Sequence, residues 1–149
     1  MSVGEYCNRE VVVISKDASI IEAAQLMREK HVGDLVVVEP HTAGTVPVGL
    51  LTDRDIVIEL VAKEADLSSV TVNEVMSTEL YTIRESENIS DALKCMRNKG
   101  VRRVPVVDEQ ENLIGIMTSD DALDIISEQL NNLASLVSNE QRQEERSRT

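Results

Sequence analysis

Apolar residues recur along this chain in two alternating modes. Short β-rich runs, Val11–Ile14 and Leu80–Ile83, each precede a stretch in which apolar residues return every three or four positions. Those residues are Ile20, Ala23, Ala24 and Met27 in one stretch and Ile89, Ala92, Leu93 and Met96 in the other, and the spacing predicts helices with one buried face. Ser19-Ile-Ile-Glu22 reads as a capping box, and Asn88-Ile-Ser-Asp91 as a weaker one. His31-Val-Gly33 and Lys99-Gly100 signal turns. Two apolar runs follow in each half, Leu35–Val38 with Val48–Leu51 and Val104–Val107 with Leu113–Met117. Each pair brackets a polar loop, as a hairpin does. A second helix is expected over Asp53–Ala62 and over Ser119–Leu136, with a helical link over Ala62–Met76 between the halves.

The two halves are copies. Shifted by 69 residues, Val3–Glu39 falls on Val72–Asp108 without a gap, and 12 of the 37 positions are identical, among them Val3/Val72, Ile14/Ile83, Ile20/Ile89, Met27/Met96 and Val37/Val106. After a three-residue length difference the register resumes at a shift of 66, with Gly49, Thr52 and Asp55 on Gly115, Thr118 and Asp121. Duplication of one supersecondary unit accounts for this. The expected fold is α/β: two β-α-β-β-α repeats, 3–62 and 72–130, joined by a linker at 63–71, with a helix extension and polar tail at 131–149. Neither unit has much core alone. Packing sheet to sheet buries both apolar faces, gives pseudo-twofold symmetry, and places two equivalent clefts at the seam.

Composition narrows the function. The net charge of −12 and the near absence of aromatics, two Tyr with no Phe or Trp, argue against a nucleic-acid surface, which needs a basic face and stacking rings. No apolar run reaches the length of a membrane span, and the N-terminus lacks the pattern of a secretory signal, so a cytoplasmic protein is expected. Cys7 and Cys95 form no metal or redox spacing, and His31 and His41 match no ligand pattern. No metal is expected. A nucleophile beside a base, or a paired acid and base, is not found, so an enzyme is not expected; Asp53/Asp55 and Asp120/Asp121 read as solvated helix-start carboxylates rather than a Mg²⁺ site.

The chemistry-bearing pair is Gly49-Leu-Leu-Thr52-Asp-Arg54-Asp55 and Gly115-Ile-Met-Thr118-Ser-Asp-Asp121, each where a strand turns into a helix. One reading is purely structural: Thr at the N-cap and Asp three residues on make a capping box. The other is a ligand site. A helix start suits a phosphate, a carboxylate one turn on can accept from ribose hydroxyls, and Gly allows a close backbone approach.

A duplicated β-α-β-β-α unit with this Gly-h-h-Thr-x-x-Asp motif resembles the CBS domain pair, or Bateman module, over roughly Val3–Leu130. Gly100-Val-Arg-Arg-Val-Pro-Val-Val-Asp108 resembles the family's second-strand signature. The resemblance implies a non-catalytic sensor of adenosine-type nucleotides (AMP, ADP, ATP, NAD or S-adenosylmethionine) rather than an enzyme. The adenine would lie between apolar strand residues and the motif Asp would hold the ribose. It implies nucleotide-binding roles for Gly49, Thr52, Arg54, Asp55, Arg102, Arg103, Gly115, Thr118 and Asp121. Arg102 and Arg103 match positions that reach phosphates; their first-repeat counterparts are Gly33 and Asp34, a departure that predicts unequal sites. The chain looks like a stand-alone member, with an adenine nucleotide ligand, a homodimer and an unidentified regulated protein as its partners. The alternative is a ligand-free dimerisation scaffold. In the tail, Leu130, Leu133, Leu136 and Val137 continue a helical stripe before a charged stretch from Asn139. It reads either as a fraying, solvated end or as a surface for a second subunit.

Overall fold

The structure is a computed structural model describing residues 1–148. Thr149, the last residue of the expected polar tail, lies outside the described residues. After a short helix α1 (Val3–Tyr6), the first repeat runs β1 (Val13–Ser15), α2 (Ile20–Lys30), β2 (Asp34–His41), β3 (Gly44–Thr52) and α3 (Asp53–Ile56). The second runs β4 (Ile83–Arg84), α4 (Ile89–Lys99), β5 (Arg103–Val107), β6 (Leu113–Thr118) and α5 (Ser119–Arg148). Each repeat has a three-stranded sheet, ordered β1-β2-β3 or β4-β5-β6. The first pair in each sheet is parallel and the second antiparallel. Both hairpins slip register at equivalent points, Val37/Val38 and Val106/Val107.

Local chemistry sets these boundaries. Ser19 Oγ accepts from the Glu22 amide at 3.1 Å, and Asn88 Oδ1 accepts from the Ser90 amide at 2.8 Å; both are N-caps. α2 and α4 end on left-handed residues, His31 (φ 56°) and Gly100 (φ 67°). Glycine carries that conformation without the Cβ penalty that His31 bears.

Three expected elements differ. The leading β runs pair late: ladders begin at Val13 and Ile83, with Val12 O accepting from the Val36 amide at 3.1 Å, while Val11, Leu80 and Tyr81 lie half-buried ahead of the strands. The helix expected over Asp53–Ala62 is four residues of α-helix followed by one π-helical turn, Val57–Val61. There the Ala62 amide reaches back five residues to the Val57 carbonyl at 2.8 Å. The link is not a helix but two single 3₁₀ turns, Leu67–Ser69 and Val72–Glu74. Ser68, Ser69, Val70 and Thr71 are weak helix formers, and extended Val70 instead accepts a hydrogen bond from Ile20 at 3.0 Å.

The cores reveal an exchange between the repeats. One cluster gathers Ile14, Ile20, Ala23, Leu35, Val37 and Leu51 of the first repeat with Val72. The other gathers Ile83, Ile89, Ala92, Val104, Val106 and Met117 of the second with Val3. Each repeat's leading segment thus packs on the other repeat. Hydrogen bonds repeat the pattern: the Val3 amide donates to Glu87 O at 2.8 Å, and the Val72 amide to Ala18 O at 2.9 Å. Between the sheets, Val36, Val38 and Ile116 form a third cluster with Val11, Leu50 and Leu113. This is the expected sheet-to-sheet seam. Helix α5 does not end near Leu136; it continues unbroken to Arg148, with an Arg148–Glu144 ion pair of 2.8 Å on its last turn.

Candidate functional site: two unequal inter-repeat clefts

The exchanged segments build the clefts. Asn8 pairs with Ile116 through two backbone hydrogen bonds of 2.9 and 2.8 Å, and Ser77 pairs with Leu50 through two of 2.8 and 3.1 Å. Each motif strand is therefore bordered by the other repeat's leading segment. One cleft is a cavity of about 160 Å³ lined by Asn8, Glu10, Val11, Val12, Val32, Asp34, Val36, Ile116 and Thr118. A groove of about 660 Å³ shares its Asn8–Val12 wall and Val32, and extends to Leu26 and Lys30. The repeat relation makes Ser77, Glu79, Leu80, Tyr81, Val101, Arg103, Pro105, Leu50 and Thr52 the residues equivalent to this lining.

The clefts differ in charge where a ligand's polar end would sit. Glu10 and Asp34 face the Thr118 cleft; in the second repeat the position equivalent to Asp34 holds Arg103. Arg103 Nε and Asp34 Oδ2 are 3.6 Å apart, with their side chains 40% and 23% exposed. At that distance and exposure the pair holds Arg103 only loosely. Tyr81 carries Lys99 Nζ over its ring at 4.8 Å from the centroid, a cation–π contact at the place that Val12 takes in the first cleft.

The motifs differ as well. Thr52 and Asp55 make a complete capping box: the Asp55 amide donates to Thr52 Oγ1 at 3.1 Å, and the Thr52 amide donates to Asp55 Oδ2 at 3.0 Å. At the other motif only half forms. The Asp121 amide donates to Thr118 Oγ1 at 3.1 Å, while Asp121 Oδ2 is buried without a hydrogen-bond partner. A buried carboxylate oxygen without a donor is costly, so this carboxylate is the one still uncommitted.

The structure shows what the motif backbones already contact. The first amides of α3 are not free for a phosphate: Asp53 N–H bonds Gly33 O at 2.9 Å, Arg54 N–H bonds Asp53 Oδ1 at 2.8 Å, and Asp55 N–H bonds Thr52. At α5 the Ser119 amide is taken by Arg102 O at 2.8 Å. At the start of α3 a phosphate would therefore rely on side chains, and Arg54 and Arg102 are exposed. At Gly49 and Gly115 the close neighbour in this structure is backbone of the other repeat's leading segment. A Cβ at Gly49 would lie 2.8 Å from Ser77 O and 2.8 Å from Met76 Sδ; one at Gly115 would lie 2.7 Å from Cys7 Sγ and 2.9 Å from Asn8 O. They clear room for the exchanged segments. Sequence analysis missed that crossing; the signal was the Val3/Val72 identity upstream of each β run. Burial raises the Cys7 thiol pKa above its usual value, with Arg9 opposing, so Cys7 fills space as a neutral thiol.

Among the described residues, no three His, Cys, Asp or Glu are gathered as a metal site, and no helix is long and apolar enough to cross a membrane.

Two β-α-β-β-α repeats with clefts at their seam define a paired domain module. The chain belongs to the CBS domain family, whose pattern matches residues 3–62 and 72–128. It is 39% identical over 120 residues to the CBS domain-containing protein YhcV of Bacillus subtilis, covering 80% of this chain and 81% of that one. It is 36% identical over 125 residues to an uncharacterised protein of Methanopyrus kandleri, covering 84% of this chain and spanning 62% of that relative's length. Among solved structures it resembles a CBS domain pair in complex with 5′-methylthioadenosine and S-adenosyl-L-methionine, with a TM-score of 0.72 and 25% identity over 87% of this chain and 98% of that one. CBS domain proteins are in general regulatory modules.

Proposed function

We propose that this chain is a non-catalytic regulatory module that binds adenosine-type ligands in its inter-repeat clefts and passes the bound state to a partner protein. The observation that carries the reading is the second motif: Thr118 lines a cavity walled by Val11, Val12, Val32 and Val36, and Asp121, whose amide bonds Thr118 Oγ1, keeps a carboxylate oxygen buried and unpartnered. An apolar slot suits a flat base, and a carboxylate accepting from ribose hydroxyls would gain the donor it lacks. The solved relative with adenosine compounds bound supports the same class of ligand.

The clefts divide the ligands by charge. Phosphate-bearing adenine nucleotides go to the Thr52/Asp55 cleft, where Arg103 and the exposed Arg54 and Arg102 can offer bidentate donors. The Thr118/Asp121 cleft, with Glu10 and Asp34 on its wall, repels phosphate and suits an uncharged or cationic adenosine compound. The module works in the cytoplasm, as a pair of copies and without a metal. A ligand-free scaffold is favoured by one observation only, the complete capping box at Thr52/Asp55, which gives that motif a structural job of its own.

Calorimetry with AMP, ATP, S-adenosylmethionine and GTP tests this. Heats from the adenine ligands and little from GTP are expected, because a wrong base leaves buried backbone groups unpaired at about 1–3 kcal/mol each. Equal heats for all four, or none, overturn it.

A further inference from the structure

Asp34 and Arg103 are one position in two copies, related by the 69-residue shift, and they meet, with Arg103 Nε 3.6 Å from Asp34 Oδ2. Equivalent residues touch only beside the pseudo-twofold axis, so the pair stands between the clefts. A strict repeat would set like charge against like at this point; the Asp/Arg difference makes an ion pair instead. Strand register joins that pair to both motifs. Asp34 lies opposite Thr52 and Arg103 opposite Thr118, yet it is Asp34 that lines the Thr118 cavity. The backbone beside each residue is pinned: Gly33 O accepts from the Asp53 amide at 2.9 Å, and Arg102 O accepts from the Ser119 amide at 2.8 Å. Adjustment at the pair is therefore a swing of side chains.

We propose that this ion pair couples the clefts: a phosphate-bearing adenine nucleotide held by Arg103 tightens the binding of a cationic adenosine compound, one with a sulfonium or ammonium group, in the Thr118/Asp121 cleft. The inference rests on the division of ligands by charge proposed above and adds that the two ligands help one another.

The sign follows from the cavity wall. Glu10 and Asp34 bring two negative charges to it, and the guanidinium of Arg103 offsets one of them. Arg103 can grip a phosphate along either edge of its fork. Using the edge that contains Nε takes it off Asp34. Using the other edge leaves Nε in place but brings the phosphate's own negative charge up to the same guanidinium. Either way the wall turns more negative. A cation gains from that, an uncharged ligand gains little, and a second phosphate is repelled. The size follows from exposure. The two side chains are 40% and 23% exposed, and ion pairs of that kind change affinities by about two- to fivefold. By linkage the cation tightens the nucleotide by the same factor.

Calorimetry on the full chain reads this. S-adenosylmethionine is the cationic probe and 5′-methylthioadenosine the uncharged one, each titrated alone and at saturating ATP. With ATP present, S-adenosylmethionine is expected to bind about two- to fivefold tighter, and 5′-methylthioadenosine to change by less than about twofold. In D34N the ratio for S-adenosylmethionine with and without ATP is expected to fall to about one, whatever the variant does to each affinity by itself. An unchanged or weakened affinity for S-adenosylmethionine in the wild type overturns the coupling, and so does a wild-type ratio in D34N or an equal gain for 5′-methylthioadenosine. In each of those cases the binding of the single ligands still upholds the reading above. If neither S-adenosylmethionine nor ATP binds alone, that reading falls, and the coupling with it.

Discussion

Replacing Asp55 and Asp121 by alanine, one at a time, asks whether the two copies of one motif have diverged. Both substitutions remove an acid from the first turn of a helix, a loss of about 0.3–1 kcal/mol through the dipole that cancels when the variants are compared. What remains is particular to each site. Asp55→Ala leaves the half-buried Thr52 amide without the acceptor now 3.0 Å away. An unsatisfied donor costs about 1–3 kcal/mol when fully buried, and Thr52 is partly exposed, so the lower end applies. Asp121→Ala keeps the amide bond to Thr118 Oγ1, since that bond uses the backbone of residue 121. It also deletes a carboxylate oxygen that is buried without a partner, so relief of desolvation offsets the dipole loss. Without ligand, Asp55→Ala should therefore be less stable than Asp121→Ala by about 1 kcal/mol, or about 2–4 °C in Tm for a chain of this size. Urea denaturation followed by far-ultraviolet circular dichroism measures the difference. Equal stabilities, or a larger loss for Asp121→Ala, would refute the claim that the second capping box is incomplete.

Gly49→Ala and Gly115→Ala should each lose about 1–3 kcal/mol by overpacking, because the new methyl meets Ser77 O or Asn8 O. Gly33→Ala, which meets only the exposed Asp53 carboxylate at 3.1 Å, should stay near wild type; urea melts of the three check this. Arg103→Ala should weaken ATP tenfold or more, the loss of a charge-assisted pair at about 1.5–3 kcal/mol, and leave 5′-methylthioadenosine unchanged in calorimetry. Equal weakening of both ligands would mean that Arg103 does not separate the clefts by charge.

Much of this was legible in the sequence because the repeat states each element twice. The helix periods at Ile20–Met27 and Ile89–Met96, the Ser19 and Asn88 caps and both hairpins were readable from local chemistry alone. What escaped was non-local. Nothing near Val3 or Val72 says that each belongs to the other repeat's core, and without that crossing the motif glycines read as ligand contacts. The reach of α5 to Arg148 was hidden for a different reason: its polar end lacks the apolar period by which helices are recognised. The inequality of the sites was visible in Asp34 against Arg103. Its assignment to clefts was not, since it needed the swap that sets each motif beside the opposite leading segment.

The central claim is that an adenosine ligand sits between the repeats. Backbone amide NMR of the full chain, titrated with AMP, tests it most directly. The account predicts saturable shifts in residues of both repeats at once: Thr52–Asp55 together with Leu80, Tyr81 and Arg103. Shifts confined to one repeat, shifts only along the exposed face of α5, or none at millimolar AMP would contradict it.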